Sequence, residues 1–400
     1  MSEISRKKIL FLMPSLGCGG VETTLFSLLD AIDREKYDIT LLLLQKKGAF
    51  LDRVPPDVHI KEIFLPQREH GVFYGKKTGL LNLIKKGELL KIPQYLFYNA
   101  RNSITEDRTA NAAYFERISD SIPPLKEEYD LAIDYFGYAT FTTFYLAEKI
   151  TAKKKATWLH SIFSRFSPQA FGKWYEKMDI IFSVSVMVGE DFRKLFPSLT
   201  TVQPFYNIIT PNKIRELSFQ GPGFEDDFTG IRILTVGRIC HEKGMDLAVE
   251  AYKLLRAQGY PVRWYLMGGG SRQERERVFS ALTTREEKEN FIYLGVCNNP
   301  YTFMRQCDIY VQSSRYEGYC TTTNEARILR RPIVMTNVSG AHEQLINGKT
   351  GYIVGQTAEE IAEAVTILLK HPEKREAFTR ALADLDCDTR SELQKLYALL

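Results

Sequence analysis

Short apolar runs alternate with helical patterns along most of the chain. The first run, residues 9–13, contains no polar residue, as expected of a strand that is buried on both faces of a sheet. A glycine-rich loop follows, and apolar residues then recur at helical spacing from Val21 to Ile32. This alternation predicts an α/β fold in which parallel strands are joined by helices and form doubly wound sheets.

The same pattern predicts two domains, because it lapses between residues 206 and 229, where Pro211 and the residues G-P-G at 221–223 indicate loops. We expect a Rossmann-like domain over residues 1–208, a second over 209–384, and a C-terminal helix over 385–400 that packs back on the first domain. The two domains would face each other across a central cleft lined by the carboxyl ends of the strands. The predicted strands are residues 9–13, 40–44, 59–65, 131–134, 156–159, 180–184, 233–236, 264–267, 291–294, 309–312, 333–336 and 352–354.

Composition excludes several classes of protein. The 400 residues contain 53 Lys and Arg against 49 Asp and Glu, and so small a net charge argues against a dedicated nucleic-acid binder. The six cysteines form no C-x-x-C pair, which favours free thiols in a reducing compartment. The apolar runs are too short for a signal peptide or a membrane-spanning helix. We therefore expect a cytoplasmic protein.

Two cations follow the predicted strand 233–236. Arg238 and Lys243 stand five residues apart on a loop that leads into a helix, so both side chains can project into one cleft. Two cations beside a helix N-terminus are typical of a diphosphate site, since the helix dipole and free amides add to their charge. The alternative is an ordinary solvated loop.

Two carboxylates follow the predicted strand 309–312. Glu317 lies beside Gly318, where the backbone can approach a ligand closely, and Glu325 lies about one turn into the next helix. Separated carboxylates suit a polyhydroxylated ligand, because each can accept hydrogen bonds from hydroxyl groups. The alternative for Glu325 is a capping box with Thr322. Together, the cations and the carboxylates predict a nucleotide-sugar site.

With G-R-x-x-x-E-K-G at 237–244 upstream of Glu317 and Glu325, the chain resembles the retaining GT-B glycosyltransferases of group 1, the large E-x7-E family that includes bacterial cell-surface polysaccharide enzymes. The resemblance extends over roughly residues 7–370. It also rests on G-G-V-E at 19–22, W-L-H-S at 158–161, R-R-P-I-V at 330–334 and the glycine turn at 348–352.

The resemblance implies a role for each motif residue. Arg238 and Lys243 would bind the donor diphosphate and stabilise the leaving group, Glu325 would hold the ribose, and Glu317 would contact the transferred sugar. His160 would lie near the reacting centre and bind the donor sugar; the alternative is a buried, satisfied histidine at a strand end. Backbone close to the donor would come from Gly19, Gly20, Gly318, Tyr319 and Cys320.

The implied reaction retains the anomeric configuration. The D-x-D pattern occurs in this sequence only at 384–388, away from the motifs above, and we expect neither a metal nor another cofactor, with UDP-sugar rather than GDP-sugar as the donor. The first domain would lie on the acceptor side and the second would bind the donor. The family commonly has G-F-G or G-F-P after the first glutamate of E-x7-E, whereas this chain has G-Y-C at 318–320, which we interpret as a subfamily feature.

Residues 73–101 combine basic and apolar residues and contain a single acid, Glu88. The lysines are Lys76, Lys77, Lys85, Lys86 and Lys91. This mixture favours peripheral binding to the anionic inner face of the cell membrane, and it fits a lipid-linked saccharide acceptor. The alternative is an ordinary helix with a solvated basic face.

Other functions remain open at this point. A non-catalytic nucleotide-sugar-binding or assembly protein of the same fold could carry the same motifs. A sugar-nucleotide epimerase or a phosphorylase fits less well, because an epimerase lacks this combination of motifs and a phosphorylase needs a longer chain with a cofactor lysine. Nucleic-acid binding would rest on the basic segment alone.

Overall fold

The computed structural model describes residues 6–17 and 19–400. The chain divides into two compact units: the first comprises the described residues up to Tyr206 together with Glu392–Leu400, and the second is Asn207–Ser391. Cys18, one of the six predicted free thiols, lies outside the described residues. The other five cysteines form no disulfide. No helix in the described part of the chain combines the length and apolar character needed to cross a membrane.

The first unit is built on a parallel sheet. Its strands are β1 (Lys7–Met13), β2 (Tyr37–Leu43), β3 (His59–Glu62), β4 (Glu128–Asp134), β5 (Thr151–Leu159), β6 (Ile180–Ser183) and β7 (Val202–Pro204). They lie in the order β3-β2-β1-β4-β5-β6-β7. Ile9 of β1 is fully buried and pairs with Ile39 and Leu131 on either side. The apolar run that identified β1 in the sequence therefore forms the centre of this unit's core.

Helices cover this sheet. They are α1 (Gly20–Ala31), α2 (His70–Tyr74), α3 (Lys76–Lys85), α4 (Ile92–Arg101), α5 (Arg108–Ile118), α6 (Phe141–Lys149), α7 (Gly172–Tyr175) and α8 (Val186–Leu195). The spacing that predicted α1 is confirmed, since Leu25, Leu28 and Leu29 are buried.

The second unit has a parallel sheet of its own. Its strands are β8 (Ile231–Val236), β9 (Val262–Met267), β10 (Phe291–Gly295), β11 (Ile309–Gln312), β12 (Ile333–Thr336) and β13 (Tyr352–Val354). They lie in the order β10-β9-β8-β11-β12-β13. Its helices are α9 (Pro211–Leu217), α10 (Met245–Ala257), α11 (Arg272–Phe279), α12 (Arg285–Asn290), α13 (Tyr301–Gln306), α14 (Thr321–Ile328), α15 (Ala341–Gln344), α16 (Ala358–Lys370) and α17 (Pro372–Ala383).

Both sheets have a switch point, where the direction of strand addition reverses. In the first sheet the switch lies between β1 and β4, and in the second it lies between β8 and β11. The loops that leave two such strands diverge to opposite faces, so a crevice opens at the carboxyl ends of the strands, where α/β proteins usually bind ligands.

The last helix belongs to the first unit. It is α18 (Leu393–Tyr397), and it follows a short 3-10 turn, Arg390–Glu392. The ring of Tyr397 stacks on Tyr37 at 4.9 Å, and the amide of Asp33 donates to its hydroxyl at 3.2 Å. Lys395 Nζ donates to the carbonyl of Pro204 at 2.8 Å.

The structure corrects three predictions made from the sequence. Strand β7 was not predicted, and Pro211 begins a helix instead of marking a loop, because the first helical position needs no backbone N–H. The predicted helix over 385–400 is wrong for most of its length. Asp386 and Asp388 accept hydrogen bonds from amides two residues further on, at 2.9 Å each. Such local bonds favour turns over helix.

We expect Gly137→Ala to destabilise the first unit far more than Gly87→Ala. Both glycines have left-handed backbone, with φ of 67° and 72°, so alanine costs about 1 kcal/mol of conformational energy at either position. At Gly137 a Cβ would also lie 1.6 Å from the carbonyl oxygen of Trp158, whereas at Gly87 it would meet no atom within 4 Å. The clash should add about 1–3 kcal/mol.

Thermal or urea unfolding of the two variants beside the wild type measures this difference. Equal destabilisation by the two substitutions would contradict the close packing of the loop after β4 against β5.

Candidate functional site

The second unit brings two loops together at its switch point. One loop leaves β8 and contains a short 3-10 turn, His241–Lys243, before α10 begins. The other leaves β11 and reaches α14. Gly244 lies where they meet: its φ is 60°, and an added Cβ would lie 2.0 Å from the carbonyl oxygen of Ser313. Glycine therefore allows the two loops to approach this closely.

Several hydrogen bonds join these two loops. The guanidinium of Arg315 donates to both carboxylate oxygens of Asp246, at 2.8 and 2.7 Å. The amide of Arg315 donates to the carbonyl of Glu242 at 2.8 Å, and Ser313 Oγ donates to the carbonyl of Lys243 at 3.1 Å. A two-pronged Arg–carboxylate pair is among the more directional ion pairs in proteins. Together with the two backbone contacts, it fixes the register of the loops.

This register joins Lys243 to Glu317. Lys243 Nζ donates to Glu317 Oε1 at 2.6 Å, and the side chain of Glu317 is only 8% exposed. Ser314 Oγ and Gln312 Nε2 donate to the same oxygen, at 2.7 and 3.4 Å. The structure thus brings together a cation and an acid that lie 74 residues apart in the sequence.

All three bonds end on Oε1 of Glu317, so its Oε2 has no hydrogen-bond donor among the described residues. Two protons of the Lys243 ammonium likewise have no acceptor there. Burial lowers the pKa of Lys243, but the negative charge of Glu317 and the hydrogen bond to it act in the opposite direction, and the pKa lies above its ordinary value. Lys243 is therefore charged at neutral pH, so the pair can offer one cation and one acceptor oxygen to a ligand.

Arg238 lies on the same loop as Lys243. Its side chain is exposed and makes no hydrogen bond or ion pair with the residues that the structure describes. Its positive charge opposes the rise in the pKa of Lys243 that Glu317 causes. An exposed arginine without an internal partner is available to an anion.

Glu325 lies on α14, but the capping box with Thr322 is wrong. The helix begins at Thr321 with Cys320 as its N-cap, and no side chain caps it. Tyr301 OH instead donates to Glu325 Oε1 at 3.1 Å. Burial raises the pKa of Glu325 to about 7, and the bond from Tyr301 only partly offsets this.

The backbone at Cys320 is held by a residue that the sequence did not suggest. Gln344 Nε2 donates to the carbonyl of Cys320 at 2.6 Å, and the amide of Cys320 donates to Gln344 Oε1 at 3.2 Å. The predicted contact between this amide and the donor would therefore have to displace Gln344. Burial raises the pKa of the Cys320 thiol to about 11, so the thiol is protonated at neutral pH. Gly318 and Tyr319 precede it on the same loop, and Gly318 is buried.

In the first unit, Gly19 and Gly20 lie at the start of α1. Gly19 is the N-cap, and Gly20 is the first residue of the helix. Glu22 folds back over this end: its Oε1 accepts from the amide of Gly17 and its Oε2 from that of Gly19, both at 3.1 Å. The glutamate of the G-G-V-E motif thus caps its own helix, and the Gly19 amide is already bonded.

His160 directly follows β5 and is buried. Its Nε2 lies 2.7 Å from the carbonyl oxygen of Tyr135 and donates to it. Burial lowers the pKa of His160 to about 4, despite this bond. The ring is therefore neutral at physiological pH, with its other nitrogen as an acceptor. This is the satisfied histidine considered as the alternative, and such an imidazole can still accept a hydrogen bond from a ligand.

The sequence reasoning missed the residues that support the pair in the second unit. They are Asp246, Gln312, Ser313, Ser314, Arg315 and Gln344. Gln312 gave one signal, because it is a polar residue at the end of an otherwise apolar strand. Ser314 bonds to Glu317 three residues further on, whereas Asp246, Arg315, Ser313 and Gln344 make contacts between distant segments, which no local pattern indicates.

Comparison with known proteins finds a matching family model and several glycosyltransferase relatives. The family model described as glycosyl transferases group 1 matches residues 224–383, which contain the Lys243–Glu317 pair. A capsular polysaccharide biosynthesis glycosyltransferase of Staphylococcus aureus, CapM, is 30% identical over 146 residues, which are 35% of this chain and 37% of that protein.

A second relative, from Campylobacter jejuni, is 25% identical over 207 residues, which are 51% of this chain and 54% of that protein. Its name describes an N-acetylgalactosamine-N,N'-diacetylbacillosaminyl-diphospho-undecaprenol 4-alpha-N-acetylgalactosaminyltransferase. The matches thus span about a third to a half of the length of these curated relatives.

Among solved structures, Anabaena Alr3699/HepE in complex with UDP-glucose superposes with a TM-score of 0.67 at 17% identity, covering 98% of each chain. At this identity the likeness shows the fold. The two parallel sheets, their order and this likeness together confirm the predicted GT-B fold. Residues 224–383 therefore match the group 1 glycosyltransferase family, and the chain has the GT-B fold.

Proposed function

We propose that this chain is a retaining glycosyltransferase that moves a sugar from a nucleotide-sugar, UDP-sugar rather than GDP-sugar, to a saccharide acceptor that is lipid-linked or part of a cell-surface glycan. The observation that carries the proposal is the Lys243–Glu317 pair at the switch point of the second sheet. It combines a cation for a diphosphate with an acid for sugar hydroxyls, in the place where α/β sheets bind ligands.

The cations would act on the leaving group. Transfer breaks the bond between the anomeric carbon and a diphosphate oxygen, so negative charge grows on the departing nucleotide. Arg238, which has no partner in the described residues, and Lys243, with two unused protons, would stabilise this charge. We propose that they replace a divalent metal and that the reaction needs no cofactor.

The acids would bind hydroxyl groups. Oε2 of Glu317 accepts no hydrogen bond from the described residues, so it can accept from the transferred sugar. Glu325, one helical segment further on, would bind the ribose. The description of HepE as a complex with UDP-glucose supports a UDP-sugar donor.

A lipid-linked acceptor is supported by the surface of α3, α4 and the turn between them, which we call the basic-apolar surface. Six of the fifteen large apolar side chains that are exposed in the described residues lie here, between Leu81 and Phe97. Leu90 is 97% exposed and Phe97 61%. The five predicted lysines, Lys76, Lys77, Lys85, Lys86 and Lys91, are exposed on the same surface.

Such a concentration of exposed apolar side chains is unusual for a surface that faces only water. Anionic lipids would attract the lysines, and the leucines could insert among the acyl chains. The diphospho-undecaprenol in the name of the Campylobacter relative supports an acceptor of this kind. We therefore propose peripheral binding to the cytoplasmic face of the membrane.

We expect Glu317→Gln to lower the rate of sugar transfer or donor hydrolysis by about 10²–10³-fold, because the neutral amide cannot replace a carboxylate at the reacting sugar. The measurement is release of UDP from a panel of UDP-sugars in the presence of a chelator. The anomeric configuration of the product, determined by NMR, tests retention.

Glu359→Gln, an exposed residue of α16 in the same unit, serves as the matched control and should keep wild-type activity. A Glu317→Gln variant with the wild-type rate would remove Glu317 from the site. If the wild type binds a UDP-sugar but neither transfers nor hydrolyses it, the non-catalytic alternative is supported instead.

We expect the protein to co-sediment with anionic liposomes at low salt and to be released from them at high salt. The double substitution Leu90→Ser and Phe97→Ser should weaken this binding by removing the apolar contacts. Replacing the five lysines by glutamine should weaken it by removing the charge attraction, which contributes about 1 kcal/mol for each lysine near the surface.

The matched controls are Phe64→Ser, which removes an exposed apolar side chain elsewhere in the first unit, and Lys46→Gln with Lys47→Gln. Both should leave sedimentation unchanged. Absence of the wild-type protein from the liposome pellet at low salt would overturn the membrane proposal.

A further inference from the structure

The first unit contains a cavity of about 240 Å³ between the 3-10 turn Gln67–Glu69, α3 and α4. Two cations, Arg68 and Lys91, line this cavity, and no described acid does. Pockets that take drug-sized ligands measure about 300–1,000 Å³, so this cavity fits a smaller group. Its size and its cations suit a small anion or the anionic part of a larger ligand.

Arg68 is held in place by a buried acid. Its Nε donates to Glu69 Oε1 at 3.1 Å, and the side chain of Glu69 is fully buried. The hydroxyl of Tyr98, at 2.8 Å, and that of Tyr114 donate to the same carboxylate. The terminal nitrogens of Arg68 make no hydrogen bond with the described residues, and the residue is exposed. The buried acid therefore fixes the guanidinium and leaves its terminal nitrogens for an external anion.

The second cation, Lys91, is paired with Glu88, whose Oε1 lies 3.2 Å from Nζ. Lys91 is exposed, and an ion pair of this kind contributes little to stability. An ammonium group has three donor protons, so Lys91 can bind a ligand anion while it stays close to Glu88. Lys85 and Lys86, both exposed at the end of α3, add positive charge to the same surface.

The walls of the cavity are apolar and aromatic. They include Leu83 and Tyr95, which are buried, and Tyr98, whose ring centroid lies 5.9 Å from Cζ of Arg68. The hydroxyl of Tyr95 donates to the carbonyl of Lys76 at 3.0 Å, and that of Tyr98 donates to Glu69. Because both hydroxyls are used within the protein, the rings offer carbon surface to a ligand.

The cavity lies within the basic-apolar surface. Lys91 directly follows Leu90, which is almost fully exposed. Gln94 lines the cavity, and Phe97 lies three residues further along α4, so the two are neighbours on the helix surface. Side chains suited to the acyl region of a membrane thus border a cavity suited to an anion. A phospholipid offers both groups together, because its phosphate is joined to the glycerol that carries the acyl chains.

We propose that this cavity binds the headgroup of an anionic glycerophospholipid, with Arg68 and Lys91 on the phosphate and the rings of Tyr95 and Tyr98 against the glycerol carbons. The inference rests on the proposed membrane binding and deepens it. Lysines spread over a surface attract any anionic bilayer, whereas a cavity of this kind selects one headgroup.

The test uses the full chain and a lipid too short to form a bilayer, so that no membrane surface is needed. Dihexanoyl-phosphatidylglycerol, below its critical micelle concentration, is titrated calorimetrically beside dihexanoyl-phosphatidylcholine and inorganic phosphate. The wild type should bind phosphatidylglycerol most tightly. The choline headgroup brings a positive charge close to the lysines, and inorganic phosphate has no carbon atoms to contact the rings.

We expect Arg68→Gln to raise the Kd for dihexanoyl-phosphatidylglycerol about tenfold or more, as for loss of a charge-assisted hydrogen bond. Arg68→Lys should give an intermediate value, because it keeps the charge but loses the fork. Arg101→Gln is the matched control and should keep the wild-type Kd, since Arg101 is exposed on α4 but does not line the cavity.

A second variant leaves the bond between Arg68 and Glu69 intact. Gln94 is exposed and makes no hydrogen bond with the described residues, so Gln94→Trp should fill part of the cavity without disturbing an internal contact. It should weaken binding of the short-chain lipid about tenfold or more while leaving the melting temperature of the free protein unchanged.

The proposal is overturned if the wild type does not bind dihexanoyl-phosphatidylglycerol, or if Arg68→Gln or Gln94→Trp binds it with the wild-type Kd. Equally tight binding of phosphatidylcholine would overturn the selection of an anionic headgroup, and equally tight binding of inorganic phosphate would assign the cavity to a free anion instead. Loss of affinity in Arg101→Gln equal to that in Arg68→Gln would show diffuse attraction without a site.

Liposome sedimentation and UDP release, measured on the same preparations, separate this inference from the proposed function. A wild type that pellets with anionic liposomes but does not bind the short-chain lipid keeps the membrane proposal and loses the headgroup site. Selective binding of the short-chain lipid by a protein that releases no UDP keeps the headgroup site and counts against the transferase proposal.

Discussion

The ion pair between Lys243 and Glu317 can form because the backbones of two loops pack closely enough to bring the two side chains together. The loop after β8 can approach the loop after β11 because Gly244 has no side chain. A Cβ at this position would clash with the carbonyl oxygen of Ser313. The Arg315–Asp246 pair then holds the two loops in register. A partly buried ion pair of this kind contributes little net stability, because desolvation opposes the attraction. Instead, the pair holds a cation and an acid at a fixed separation and leaves Oε2 of Glu317 without a hydrogen bond from the described residues.

The first unit uses the same construction for a different surface. Its switch point also places loops at the carboxyl ends of neighbouring strands, and Gly137 lets one of them pack against the backbone of Trp158. In both units, therefore, a glycine with left-handed backbone allows a loop to approach a neighbouring segment closely.

The sequence predicted the architecture well because buried parallel strands are local apolar runs, and twelve of them were located within a few residues of their observed positions. It also singled out Lys243 and Glu317, which the structure brings together, because each lies on the loop that follows such a strand. It failed where a contact joins distant segments. Gln344 lies 24 residues from the Cys320 backbone that it holds, and Glu325 bonds to Tyr301 instead of capping its own helix.

The most direct test of the account is the affinity for UDP, measured by calorimetry in the presence of a chelator, of the wild type, Arg238→Gln and the control Arg277→Gln. Arg238 makes no internal hydrogen bond or ion pair in the described part of the chain, so its removal should leave the melting temperature of the free protein unchanged. The account predicts that Arg238→Gln weakens UDP binding about tenfold or more, while Arg277→Gln binds as the wild type does. Equal affinity in all three proteins, or no binding of UDP by the wild type, would contradict a metal-independent nucleotide site in the second unit.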